Sequence, residues 1–84
     1  SEYGFALRVH ERRMNFARWL TPGRCDVLGT EGDWVTARFH FESIDLAKML
    51  VFGLGKDAEV IEPPELRAAV LDAAREVLEQ HTKS

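Results

Sequence analysis

The first 42 residues carry six arginines and no lysine: Arg8, Arg12, Arg13, Arg18, Arg24 and Arg38. A guanidinium grips phosphate or carboxylate through paired hydrogen bonds and stacks on aromatic rings, which an ammonium does less well. Arg8 and His10, and likewise Trp34, Arg38 and His40, occupy every second position of stretches whose other positions are apolar. Each set therefore projects to one side of an extended backbone. Cations, imidazoles and an indole on one face suit a ligand that offers phosphates and bases, such as single-stranded nucleic acid. The same face would equally serve as a contact for another domain or subunit, or stand in plain solvent.

Arg12 and Arg13 open a helical stretch, where the helix dipole disfavours a cation but free backbone N–H groups welcome an anion. A bound phosphate there would reconcile the two; otherwise both side chains point into water. The nucleic-acid or effector-binding set expected from the sequence is thus Arg8, His10, Arg12, Arg13, Trp34, Arg38 and His40, with the arginines holding phosphates while Trp34 and the histidines pack or stack. A second reading gives the chain no ligand and makes it a dimerisation or interdomain module.

Signals for catalysis are poor. No phosphate-cradling glycine loop follows the first strand, and Cys25 has no neighbouring histidine to activate it. His10 and His40 invite comparison with a metal pair facing each other across two strands, yet a third ligand is wanting. No catalytic residue, metal or cofactor is expected, and the chain does not read as an enzyme. Met14, Phe16, Trp19, Met49 and Phe52 follow helix faces and read as core or interface.

The elements that must position these groups are legible as periodicities. Phe5 to His10 alternates as strand 1, and Glu11 to Leu20 has Met14, Ala17 and Leu20 at helical spacing before Thr21-Pro22-Gly23 stops it. Cys25 to Thr30 and Asp33 to Glu42 flank Glu31-Gly32 as a hairpin. Val35, Ala37, Phe39 and Phe41 mark the inward face of strand 3. Ser43 caps a second helix over Ile44 to Phe52, with Asp45 in its first turn and Gly53 at its end. Ala58 to Ile61 is a fourth strand, and Pro63-Pro64 starts a last helix with Leu66, Ala69, Val70, Ala73, Val77 and Leu78 on one stripe. Residues 1–4 and 82–84 are expected to fray. The order β-α-β-β-α-β plus a terminal helix is the ferredoxin-like split βαβ arrangement, an α+β fold whose four-stranded antiparallel sheet leaves one face open. Strands 1 and 3 are central in that topology, which brings Arg8, His10, Trp34, Arg38 and His40 into one patch.

Composition bounds the rest. The 84 residues hold one domain, and 45% hydrophobic with 30% charged is the balance of a folded soluble chain. A domain this small removes only about 60 to 65% of its unfolded surface from water, so a partner would help it. The net charge of −3 arises in the second half, leaving room for a local anion site in the first. No apolar run nears the roughly 20 residues needed to span a bilayer. A single cysteine fits a reducing compartment, so the expected location is cytoplasmic, without membrane contact. A start at Ser1 suggests a fragment of a longer protein.

Phe39-His40-Phe41, Leu46 to Phe52-Gly53, and Asp57-Ala58-Glu59-Val60-Ile61-Glu62-Pro63-Pro64-Glu65-Leu66-Arg67 together resemble a family signature. The chain, from Phe5 to about Gln80, is similar to the C-terminal extension, WCX, of bacterial WYL-domain transcription regulators. That resemblance implies a winged helix-turn-helix and a WYL domain elsewhere in the parent chain, homodimerisation and effector sensing. For the DNA damage response branch it implies nucleic-acid effectors, including single-stranded DNA. Glu11-Arg12-Arg13 replaces the family's usual proline after strand 1, and the connection Thr21-Pro22-Gly23-Arg24 is short; both departures fall where a ligand would touch.

Overall fold

Strand alternation survives into the computed structural model, which describes residues 2–83 and orders its one antiparallel sheet β2-β3-β1-β4. β1 is Tyr3–His10, β2 Cys25–Glu31, β3 Trp34–Phe41 and β4 Ala58–Glu62. α1 (Met14–Leu20) joins β1 to β2, α2 (Ile44–Leu54) joins β3 to β4, and α3 (Pro64–Thr82) follows β4. This is the expected α+β split βαβ arrangement with its additional helix.

Phe5, Leu7 and Val9 of β1, Val35, Ala37 and Phe39 of β3, and Val60 of β4 turn to one side of the sheet. There they meet Met14 and Ala17 of α1, four residues of α2 (Ala47, Leu50, Val51, Leu54), and Leu66 of α3. Phe5 and Phe39 stack at 5.5 Å between ring centroids at the centre of this core. All three helices cover that side, and on the other side Ala6 is buried between Arg38 and Glu62. The Ser43 hydroxyl accepts from Leu46 N at 3.3 Å and caps α2, with Asp45 in the first turn. Both follow from residue type.

Several boundaries differ from expectation. β1 begins at Tyr3 because Tyr3 pairs with Phe41 at the far end of the β1–β3 ladder, so Tyr3 and Gly4 are not frayed. The first helix opens as a 3-10 turn, Glu11–Arg13, leaving α1 only seven residues. The backbone N–H of Glu11 donates to Asp33 O at 2.8 Å and that of Arg12 to His10 Nδ1 at 3.2 Å, tying the turn to the hairpin and to β1. The hairpin turns at Gly32-Asp33, one position later than expected, since Glu31 already pairs with Trp34. Gly32 has φ of 59° and no non-glycine residue among those described has positive φ, the pattern of a type II′ turn.

α2 passes through Gly53 and stops at Gly55, whose φ of 59° and ψ of −130° exclude a helical continuation. α3 holds to Thr82 rather than fraying there, whereas Ser1 and Ser84 lie outside the described residues. Only the first half of the α3 stripe is covered: Leu66 is buried and Ala69, Val70 and Ala73 are partly so, but Val77 and Leu78 are exposed.

Candidate functional site

β1 and β3 lie side by side, and their outward residues build the candidate face. Arg8 stands opposite Thr36, and His10 opposite Trp34. The Arg8 guanidinium lies 5.1 Å from the Trp34 ring centroid, while the His10 ring meets the same indole edge-on at 5.3 Å. Trp34 therefore carries a guanidinium over its ring and an imidazole at its edge.

The rest of the face is less cationic than the sequence implied. Arg8 Nη1 is 3.3 Å from Glu59 Oε1, and Glu59 Oε2 is 3.5 Å from Arg67 Nη1 at the start of α3. Arg38 donates to Glu62. These acids reach the face because β4 pairs with β1 on its free edge: Glu59 falls opposite Arg8 and Glu62 opposite Ala6, with a register shift between Ala6 and Leu7. Neither glutamate is among the residues that the sequence pattern singles out. Glu59-Val60-Ile61-Glu62 does not alternate, and only the β1–β4 register, with its shift, shows which residues the two glutamates meet.

The two histidines are not a pair. His40 stands opposite Gly4 and His10 opposite Trp34, so they occupy opposite ends of the ladder, about 20 Å apart at the usual rise per residue. Each has its own carboxylate instead: Asp33 lies 4.0 Å from His10 Nε2, and Asp26 4.0 Å from His40 Nε2. Among the described residues no three His, Cys, Asp or Glu side chains cluster as metal ligands.

Arg12 and Arg13 leave the face altogether. The 3-10 turn after β1 aims them at the short turn before β4, where Asp57 is buried. Arg12 Nη2 donates to Asp57 Oδ1 at 2.5 Å, and Arg13 donates to Asp57 Oδ2 at 3.3 Å and to Gly53 O at 3.1 Å. Lys56 Nζ stands 3.6 Å from the same carboxylate. Burial by itself would raise the Asp57 carboxyl, but the Arg12 hydrogen bond and charge, then Lys56 and Arg13, hold it below its ordinary value. The anion that the sequence asked for beside these arginines is supplied by the chain itself. Asp57 and Lys56 could not be foreseen, because 45 positions separate Asp57 from Arg12.

Cys25 is partly covered at the sheet edge, and burial pushes its thiol up, away from the thiolate form. No helix among the described residues is long and apolar enough to cross a membrane.

None of the curated proteins is similar enough to count as a match. The family profile described as the WCX domain matches residues 3–78, from the first pairing residue of β1 deep into α3. A match over nearly every element described above shows the relationship: the chain belongs to the WCX domain family of regulatory modules.

Proposed function

We propose that this domain is the C-terminal regulatory module of a WYL-type, helix-turn-helix transcription regulator. It senses an effector that carries phosphates and bases, foremost single-stranded DNA, and works as a homodimer beside the WYL domain of its own chain in the cytoplasm. The observation that carries this reading is the Trp34 platform with Arg8 over its ring and His10 at its edge, on the two central strands of an uncovered sheet face. A base stacks on such a ring whatever its identity, and the adjoining guanidinium takes the phosphate. Arg38 and His40 extend the track along β3, while Arg12 and Arg13 stand apart on Asp57. An effector that favours one arrangement of the dimer shifts its population, and with it the spacing of the DNA-reading units.

Glutamates set the terms of binding. A phosphate must take Arg8 from Glu59 and Arg38 from Glu62, so affinity is modest and falls steeply with salt. The same ion pairs favour a second reading, in which the nearly neutral face receives another protein surface and no ligand.

Fluorescence anisotropy of a labelled single-stranded oligonucleotide, titrated with the chain at two salt concentrations, tests the first reading. Each phosphate contact contributes a slope of roughly −0.7 in log affinity against log salt. Saturable, salt-sensitive binding that Trp34→Ala and Arg38→Ala both weaken is expected; salt-insensitive or absent binding leaves the protein-contact reading.

A further inference from the structure

Cations outnumber acids where β1 leaves the sheet. Arg12, Arg13 and Lys56 converge on the one buried carboxylate of Asp57, at 2.5, 3.3 and 3.6 Å. Three positive charges thus share one negative charge. Glu11, exposed on the same turn as the two arginines, makes no ion pair among the described residues. One hydrogen-bonded guanidinium already compensates a buried carboxylate, so two of the three charges exceed what Asp57 requires.

The three cations are not equivalent. Arg13 is occupied by the fold: its two Nη atoms donate to Asp57 Oδ2 and Gly53 O, and its guanidinium lies 5.0 Å from the Phe16 ring centroid. Arg12 gives Nη2 to Asp57, yet its side chain is 53% exposed. Lys56 is 83% exposed and stands beside the carboxylate at 3.6 Å without a hydrogen bond to it. A guanidinium has five N–H donors and an ammonium three, so Arg12 and Lys56 keep donors for a second anion while Asp57 holds Arg12 in place.

Arg12 and Lys56 stand at the Trp34 end of the sheet. Val35, Val9 and Ala58 form one row across β3, β1 and β4, and Trp34 and Asp57 each lie one residue beyond it toward the same end. Two strand spacings separate them, roughly 10 Å, or about three nucleotides at the 3.4 Å rise of a stacked strand. His10 bridges the gap: its ring meets Trp34 at 5.3 Å, and its Nδ1 accepts the backbone N–H of Arg12 at 3.2 Å. A strand that follows β3 from His40 and Arg38 to Trp34 has there reached the end of the sheet. Straight ahead, on the hairpin, stand Glu31, which pairs opposite Trp34, and Asp33, both repelling a phosphate. Past His10 stand the spare cations.

The geometry points to a site for a phosphate monoester, held by Arg12 and Lys56 where the Trp34 track ends, which makes the phosphorylated end of a single strand the preferred effector. The site rests on the effector reading above and names the part of the strand that is read. An internal phosphodiester carries one negative charge, whereas a monoester carries about −1.5 to −2 at pH 7 and so matches two spare cations. A free mononucleotide offers the same phosphate, but only one base for Trp34 and no further phosphate for Arg8 or Arg38.

Isothermal titration calorimetry with 5′-phosphorylated, 3′-phosphorylated and unphosphorylated copies of one short oligonucleotide, on the wild-type chain and on Lys56→Ala, provides the test. Lys56 is exposed and the arginine clasp on Asp57 persists without it, so the variant keeps the fold, which circular dichroism verifies. One phosphorylated copy is expected to bind the wild type about tenfold more tightly than the unphosphorylated copy, the worth of one charge-assisted hydrogen bond. Lys56→Ala removes most of that gain and changes the unphosphorylated affinity by no more than about twofold. Equal affinities for the three copies, or a gain that survives Lys56→Ala, overturn the site and leave the effector reading standing. If no copy binds, the effector reading fails, and titrations with a nucleoside monophosphate and with inorganic phosphate decide the site by itself. Saturable binding of either that Lys56→Ala abolishes keeps the site and identifies its source as that free anion; no binding removes the site as well.

Discussion

Arg12 reaches Asp57 across 45 positions of sequence and donates to its buried carboxylate at 2.5 Å, fastening the turn after β1 to the turn before β4. Arg13 closes the other oxygen and reaches the end of α2 through Gly53 O, so the two arginines tie the turn after β1 to the turn before β4 and to α2, just beyond the Val9–Ala58 end of the β1–β4 ladder.

That clasp makes stability depend on acid. The Asp57 carboxyl is held below 3.8, its ordinary value, so the stability it confers is complete above about pH 4 and is lost as pH falls through the folded value. Asp57→Asn is expected to lower the melting temperature at pH 7 by several degrees and to flatten the fall in stability below pH 4. Thermal melts between pH 2.5 and 7 measure both; a variant that melts like the wild type at pH 7 removes the clasp from the account.

Gly53 and Gly55 should respond in opposite directions. Gly53 lies inside α2 with nothing within 4 Å of where a Cβ would stand, so Gly53→Ala stabilises by about 0.5 to 1 kcal/mol through helix propensity. Gly55 also has open space, but its φ of 59° with ψ of −130° disfavours any side chain, and Gly55→Ala costs about 1 to 3 kcal/mol. Urea denaturation of the two variants settles the sign of each.

Tyr3 extends β1 against Phe41, yet its hydroxyl is buried with no hydrogen-bond partner among the described residues. An unsatisfied hydroxyl of this kind costs about 1 to 3 kcal/mol, so Tyr3→Phe is expected to raise stability by about 1 kcal/mol. Equal or lower stability in chemical denaturation would show that the hydroxyl is solvated after all.

On the sheet face the decisive pair of substitutions is Glu59→Gln with Glu62→Gln. If an oligonucleotide binds through Arg8 and Arg38, removing the competing carboxylates tightens binding, roughly two- to fivefold for pairs this exposed. If a protein surface is the occupant and reads the alternating charges, the double variant weakens that contact. Anisotropy at low salt distinguishes the two.

Much of the fold was legible because it depends on local chemistry. Alternation in β1 and β3, the Ser43 cap and the Pro64 start act over a few residues, and each fixed an element by its own sequence. Together they placed Arg8, His10, Trp34 and Arg38 on one open face, and the Arg8, Trp34 and His10 cluster follows from that alternation. The end of α2 was misjudged because Gly53 and Gly55 are chemically identical and only the chain's path decides which takes the positive φ.

What the tertiary structure alone decided is which charges meet. The pairing of β4 on the free edge of β1 delivers Glu59 to Arg8 and Glu62 to Arg38, and the convergence of two turns delivers Asp57 to Arg12 and Arg13. Periodicity reports the face on which a side chain lies. It is silent about a partner 24 to 51 positions away, because a Coulombic contact depends on distance in space, which the local sequence does not encode.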